Sequence, residues 1–162
     1  MSPFPQDPSY CDSNRQPEPG SSPPEKLADP PTVLVVDDDS VFRELESRAL
    51  RQQGYNVVQA ACAAEALRLA DATATLHLLL TDFNMPDVDG LELARRFRAM
   101  RPHTPVLLVS GSLSLIQGRL KELDRVAVLE KSARFDELLE KVGTLLSEVT
   151  PLPIRPKMNS NG

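Results

Sequence analysis

Between residues 32 and 150 the apolar pattern changes period again and again, and this alternation limits the fold more than any other feature. Short apolar runs occur at Thr32-Val33-Leu34-Val35-Val36, Tyr55–Gln59, Leu76–Leu80, Val106–Val109 and Val126–Leu129. The first is a β-branched run without polar alternation, the pattern of a strand covered on both faces. Between the runs, apolar residues recur at helical spacing. Residues 41–53 place Phe42, Leu45 and Ala49 on one face, and residues 62–72 carry Ala64, Leu67 and Ala70. Residues 90–100 carry Leu93, Ala94, Phe97 and Met100, and a shorter helix containing Gly118 follows the fourth run. The last helix has the clearest stripe, Phe135, Leu138, Leu139, Val142, Leu145 and Leu146, with Glu and Lys opposite. Gly54 stands where the first helix must stop, and Pro102 and Pro105 bracket the entry to the fourth strand. Five strands alternating with five helices predict a doubly wound α/β domain with a parallel sheet and right-handed crossovers.

Proline marks the limits of this domain. Nine of the fifteen prolines fall in residues 1–31 and three in 151–162, leaving Pro86, Pro102 and Pro105 between. The expected organisation is a disordered Pro-rich tail over 1–31, a globular domain over 32–149 and a flexible tail over 150–162. No apolar run approaches the roughly 20 residues of a membrane span, and the N-terminus lacks the basic and apolar regions of a secretory signal. Cys11 and Cys62, with His77 and His103, have no disulfide or zinc spacing, so the expected location is cytoplasmic, without membrane insertion. The net charge of −5 and the lack of a basic stripe argue against direct nucleic-acid binding.

In a doubly wound sheet, ligands bind beyond the carboxyl ends of the strands, where the strand order reverses. The first strand ends in Asp37-Asp38-Asp39, the third in Thr81-Asp82, the fourth in Ser110-Gly111 and the fifth in Glu130-Lys131-Ser132. Crowded carboxylates repel one another unless a cation joins them. A few hard oxygen ligands with room for water suit Mg²⁺ better than zinc or copper. A carboxylate beside such a metal can act as a nucleophile in aspartyl-phosphate chemistry, and a hydroxyl and a lysine can hold phosphoryl oxygens. A lone aspartate at a strand end is more often a helix cap, and Asp39 or Ser40 is the expected cap here. Caps do not explain Asp37, Asp38 and Asp82 together.

These residues resemble those of the receiver domains of two-component response regulators, and the resemblance covers residues 32 to about 150. It rests on Val35-Val36-Asp37-Asp38, on Thr81-Asp82-Phe83-Asn84-Met85-Pro86-Asp87-Val88-Asp89-Gly90 (the family's D-x-x-M-P-x-x-D-G segment), and on Ser110 and Lys131. An EF-hand loop starting at Asp82 is rejected, because Pro86 and Asp87 stand where a ligand and a glycine are needed. The resemblance implies a flavodoxin-like sheet of order 2-1-3-4-5. It implies Asp82 as phosphoacceptor, taking a phosphoryl group from the histidine of a kinase or phosphotransfer protein. Mg²⁺ would touch Asp38, Asp82 and the backbone carbonyl of Asn84, with Asp37 acting through water. Ser110 and Lys131 would each bind a phosphoryl oxygen. Met85-Pro86 and Asp89-Gly90 would shape the loop, Gly90 relieving the turn into the third helix.

The chain departs from the family in three places: Ser132 stands where a proline usually follows the lysine, Gly111 where alanine usually follows the serine, and Val128 where many members carry a rotating aromatic ring. The lysine loop therefore needs another means of fixing its geometry, and output coupling is expected to differ. The leading expectation is a stand-alone phosphoacceptor acting by protein–protein contact through the fourth and fifth helices, since only twelve residues follow position 150. The alternatives are the receiver portion of a hybrid histidine kinase and an unphosphorylated pseudo-receiver. A haloacid-dehalogenase-type phosphatase is disfavoured, because Asp37-Asp38-Asp39-Ser40-Val41 lacks the threonine of D-x-D-x-T and no cap domain fits.

Overall fold

The computed structural model describes residues 29–122 and 124–149. The remaining parts of the two expected tails, 1–28 and 150–162, lie outside the described residues. The elements run β1 (Thr32–Val36), α1 (Ser40–Gln52), β2 (Asn56–Ala60), α2 (Ala63–Ala72), β3 (Leu78–Asp82), α3 (Gly90–Met100), β4 (Val106–Ser110), α4 (Ser114–Gln117), β5 (Val126–Glu130) and α5 (Phe135–Val149). All strand pairs are parallel, in the order β2-β1-β3-β4-β5, as expected.

Parallel strands need crossovers, and here the crossovers cover both faces of the sheet. On one face Leu34, Val36, Leu79 and Leu108 pack with Ala66 and Ala70 of α2, Ala94 and Phe97 of α3 and Ile116 of α4. On the other, Val33, Val35, Leu80 and Val109 pack with Leu50 of α1 and Leu138, Val142, Leu145 and Leu146 of α5. Alternate residues of each strand thus feed opposite cores, which is why the buried central strands β1, β3 and β4 read largely as apolar runs. Removing each large aliphatic or aromatic side chain from water contributes about 1.5–3 kcal/mol.

Three details differ from the sequence reading. β3 begins at Leu78, two residues after its apolar run begins, and ends at Asp82 as expected, with Thr81 and Asp82 in the ladder opposite Val36 and Val109. The strand therefore carries a buried acid into the edge of the sheet. The inward face of α1 is Glu46, Ser47 and Leu50, whereas Phe42 and Leu45 are partly exposed. The helix phase is set at its ends. Asp39 caps it by accepting from the Val41 and Phe42 amides, and Arg43 donates to the Asp37 carbonyl. At the other end Tyr55 N donates to Leu50 O and Gly54 turns at φ +89°. Finally, α4 is a single turn between Gly111 and Gly118.

Candidate functional site

Strand order reverses between β1 and β3, and the acids at those strand ends lie together. One carboxylate oxygen from each of Asp37, Asp38 and Asp82 falls within a group no wider than 4.8 Å. Asp37 and Asp82 are buried and Asp38 is exposed, so the group opens to solvent on one side. Three oxygen donors with an open side are the donor set a hydrated Mg²⁺ accepts, and these residues fit that ion.

Both oxygens of the buried acids have partners. Asp37 Oδ1 accepts from the Asp39 amide at 2.8 Å, and Oδ2 from Lys131 Nζ at 3.2 Å. Asp82 Oδ1 accepts from the Asn84 amide at 3.3 Å, and Oδ2 from Lys131 Nζ at 3.3 Å. One ammonium therefore bridges two strand ends. Burial raises the Asp37 pKa above the ordinary carboxylate value, and the Asp82 charge adds to this; the Asp39 amide and Lys131 oppose it without prevailing. Burial alone would lower the Lys131 pKa, but Asp37 and Asp82 outweigh it and raise it. The pair is thus a cation held by crowded acids, one of which burial makes reluctant to ionise.

The other expected residues flank this centre. Asn84 stands two residues beyond Asp82, with its amide on the carboxylate. Ser110 ends β4 and is buried. Its hydroxyl is turned into its own loop, donating to the Ser112 carbonyl at 3.1 Å and accepting from the Ser112 amide at 3.2 Å. Lys131 follows β5, its amide donating to Ser110 O at 2.7 Å, so the serine and lysine loops are tied together.

Gly90 has a stricter role than relieving a turn. A Cβ there would stand 2.3 Å from Asp82 O and 2.9 Å from Phe83 Cα, while its amide donates to Phe83 O at 2.8 Å. The start of α3 thus rests on the backbone of β3's last acid. Next to it, Asp89 caps α3 through Glu92 N at 2.8 Å and pairs with Arg119 at 3.0 Å. Burial opposes the Asp89 charge, but the Glu92 amide and Arg119 prevail and lower its pKa.

Sequence reasoning missed two neighbours of the site. Phe42 lies under Lys131, its ring centroid 4.4 Å from Nζ. Glu46, one turn further along α1, is buried. With Phe135 and Leu138 of α5 they line a cavity of about 90 Å³ beside Lys131. Helical periodicity could not find Glu46, because a charged residue breaks the apolar stripe on which periodicity relies.

Among the described residues no helix is long and apolar enough to cross a membrane. A family model described as response regulator receiver domain matches residues 33–143. The response regulator MprA of Mycolicibacterium vanbaalenii is 36% identical over 124 residues, which are 75% of this chain and 53% of MprA. The chain spans about half the length of such relatives, or less. A CheY-like receiver domain protein from Methanospirillum hungatei superposes with a TM-score of 0.68 at 30% identity, covering 74% of this chain and 96% of that one. The response regulator protein TrrA of Thermotoga maritima, solved in complex with Mg²⁺-BeF, does so at 0.63 and 32%, covering 71% and 98%. With the fold, the sheet order and the acidic strand ends in agreement, the chain belongs to the response regulator receiver domain family.

Proposed function

We propose that this domain accepts a phosphoryl group on Asp82 from a phosphohistidine of a partner kinase or phosphotransfer protein, in a Mg²⁺-dependent step. The observation that carries this reading is the bridge of Lys131 between Asp37 and Asp82 beside a third carboxylate, at the reversal point of the sheet. An Asp82 carboxylate oxygen attacks phosphorus, the P–N bond breaks, and the leaving imidazole takes a proton. Bound Mg²⁺ would neutralise charge on the transferred group. Asp38, Asp82 and the Asn84 carbonyl would hold it directly and Asp37 through water. Lys131 is already on Asp82 and would pass to a phosphoryl oxygen as a compact point charge. Ser110 would release Ser112 to bond another oxygen, which makes its loop the first element to feel phosphorylation.

The protein acts as a phosphoacceptor and not as an enzyme with a turnover substrate. Its output is contact with a further protein, it neither binds nucleic acid directly nor inserts in a membrane, and it works in the cytoplasm as a domain over residues 32–149. The acidic balance and the absence of a basic stripe in the sequence support the lack of direct nucleic-acid binding. The test is intact-protein mass after incubation with acetyl phosphate and Mg²⁺. One added phosphoryl group, lost with EDTA and in Asp82→Asn, is expected. Retention of the gain in Asp82→Asn would overturn Asp82 as the acceptor, and no gain in the folded wild type would overturn the reading and favour a pseudo-receiver.

A further inference from the structure

Lysine is a flexible four-carbon stem ending in a point charge, so a lysine that must meet one phosphoryl oxygen needs its ammonium fixed from several sides. Two sides are the carboxylates of Asp37 and Asp82, at 3.2 and 3.3 Å. The residue after Lys131 is Ser132, whose backbone is not restricted as a proline's is. The third side comes from α1. The Phe42 ring centroid lies 4.4 Å from Lys131 Nζ, within the range at which an aromatic face attracts an ammonium. The backbone that carries the ring is held in place, because Asp39 Oδ1 accepts from the Phe42 amide at 3.3 Å and so ties the first turn of α1 to the strand end carrying Asp37 and Asp38. Phe42 is 38% exposed, more than a residue placed for core packing would be. Its contact with the ammonium explains a position that burial does not.

We propose that Phe42 is a positioning residue for Lys131, holding the ammonium against Asp37 and Asp82 through its ring face and thereby speeding acceptance of the phosphoryl group. The proposal deepens the phosphoacceptor reading and rests on it for its kinetic part. The ring offers no hydrogen bond and no charge. It therefore leaves the ammonium free to move from carboxylate to phosphoryl oxygen while limiting where it can go.

The experiment compares wild type, Phe42→Leu and Phe42→Tyr in two measurements. The first is the rate of phosphorylation by acetyl phosphate with saturating Mg²⁺, a small donor that needs no docking surface. Phe42→Leu is expected to be slower by roughly two- to five-fold, the equivalent of an exposed cation–aromatic contact, with unchanged Mg²⁺ affinity, and Phe42→Tyr is expected to restore the rate. A wild-type rate in Phe42→Leu would overturn the proposal. The second measurement is the NMR shift of the Lys131 ε-methylene, which needs no phosphorylation. A ring-current shift present in wild type and Phe42→Tyr and absent in Phe42→Leu is expected. Identical shifts in all three would overturn the positioning role. Should wild type accept no phosphoryl group, the phosphoacceptor reading and the claimed rate effect fail together, and the second measurement still decides whether the ring holds the ammonium.

Discussion

Glu46 shows how one residue can carry a pH dependence into the whole domain. It faces inward from α1 at 6% exposure, where a carboxylate loses its water. Burial first, and the charge of Asp37 next, push its pKa up to about 8 against an ordinary 4.5; Lys131 opposes them, and Asp82 adds to the rise. Between those values the folded chain keeps a proton that the unfolded chain has lost. Stability from this group is therefore complete below pH 4.5 and falls as the pH rises towards 8. Each pH unit inside the window costs roughly 1.4 kcal/mol. Glu46→Gln removes the titration, so its urea midpoint is expected to vary less from pH 6 to 8 than that of wild type. Parallel pH profiles for the two proteins would contradict this account of Glu46. The residue was illegible in the sequence for the same reason that it matters: charge at a core position reads as surface.

At the scale of elements, the five strands were legible because burial on both faces writes β1, β3 and β4 as apolar runs and the half-buried edge strands β2 and β5 keep paired apolar residues, and Gly54 and the prolines punctuated them. What sequence could not show was the phase of α1. That phase is set by polar groups, Asp39 and Arg43, and an apolar pattern is silent about these. The acids at the strand ends were legible as a set, since caps alone did not account for three of them. Phe42 was not, because its contact with Lys131 joins elements nearly ninety positions apart. The junction of β3 and α3 gives the sharpest test of packing. A methyl group at Gly90 meets backbone on the Asp82 side and no flexible side chain that could yield. Gly90→Ala is expected to cost about 1–3 kcal/mol or more in chemical denaturation, and to slow phosphorylation because the Asp82 backbone must shift. Wild-type stability in that variant would contradict the close approach.

The whole molecule is a parallel sheet that brings distant acids to one edge and leaves them crowded. Lys131 is the cation that joins Asp37 and Asp82. A metal ion at that edge would stabilise the fold by mass action, by about 2.7 kcal/mol at one hundred times its dissociation constant. Mg²⁺ is expected to raise the thermal midpoint in a concentration-dependent manner, EDTA to reverse this, and Asp38→Ala, which is exposed and outside the core, to abolish it. An equal rise in Asp38→Ala would place the ion elsewhere. The proposed chemistry rests on position: the buried acid of β3 lies between Lys131 and an open side, so that in this proposal the lysine would pass to an incoming phosphoryl group and a partner's phosphohistidine would approach from the open side. The most direct test is to phosphorylate the wild type, reduce the acyl phosphate with borohydride and locate the resulting homoserine by peptide mass spectrometry. Homoserine at position 82 is the predicted result; homoserine at 37 or 38, or none in a protein that has gained the mass, would contradict it.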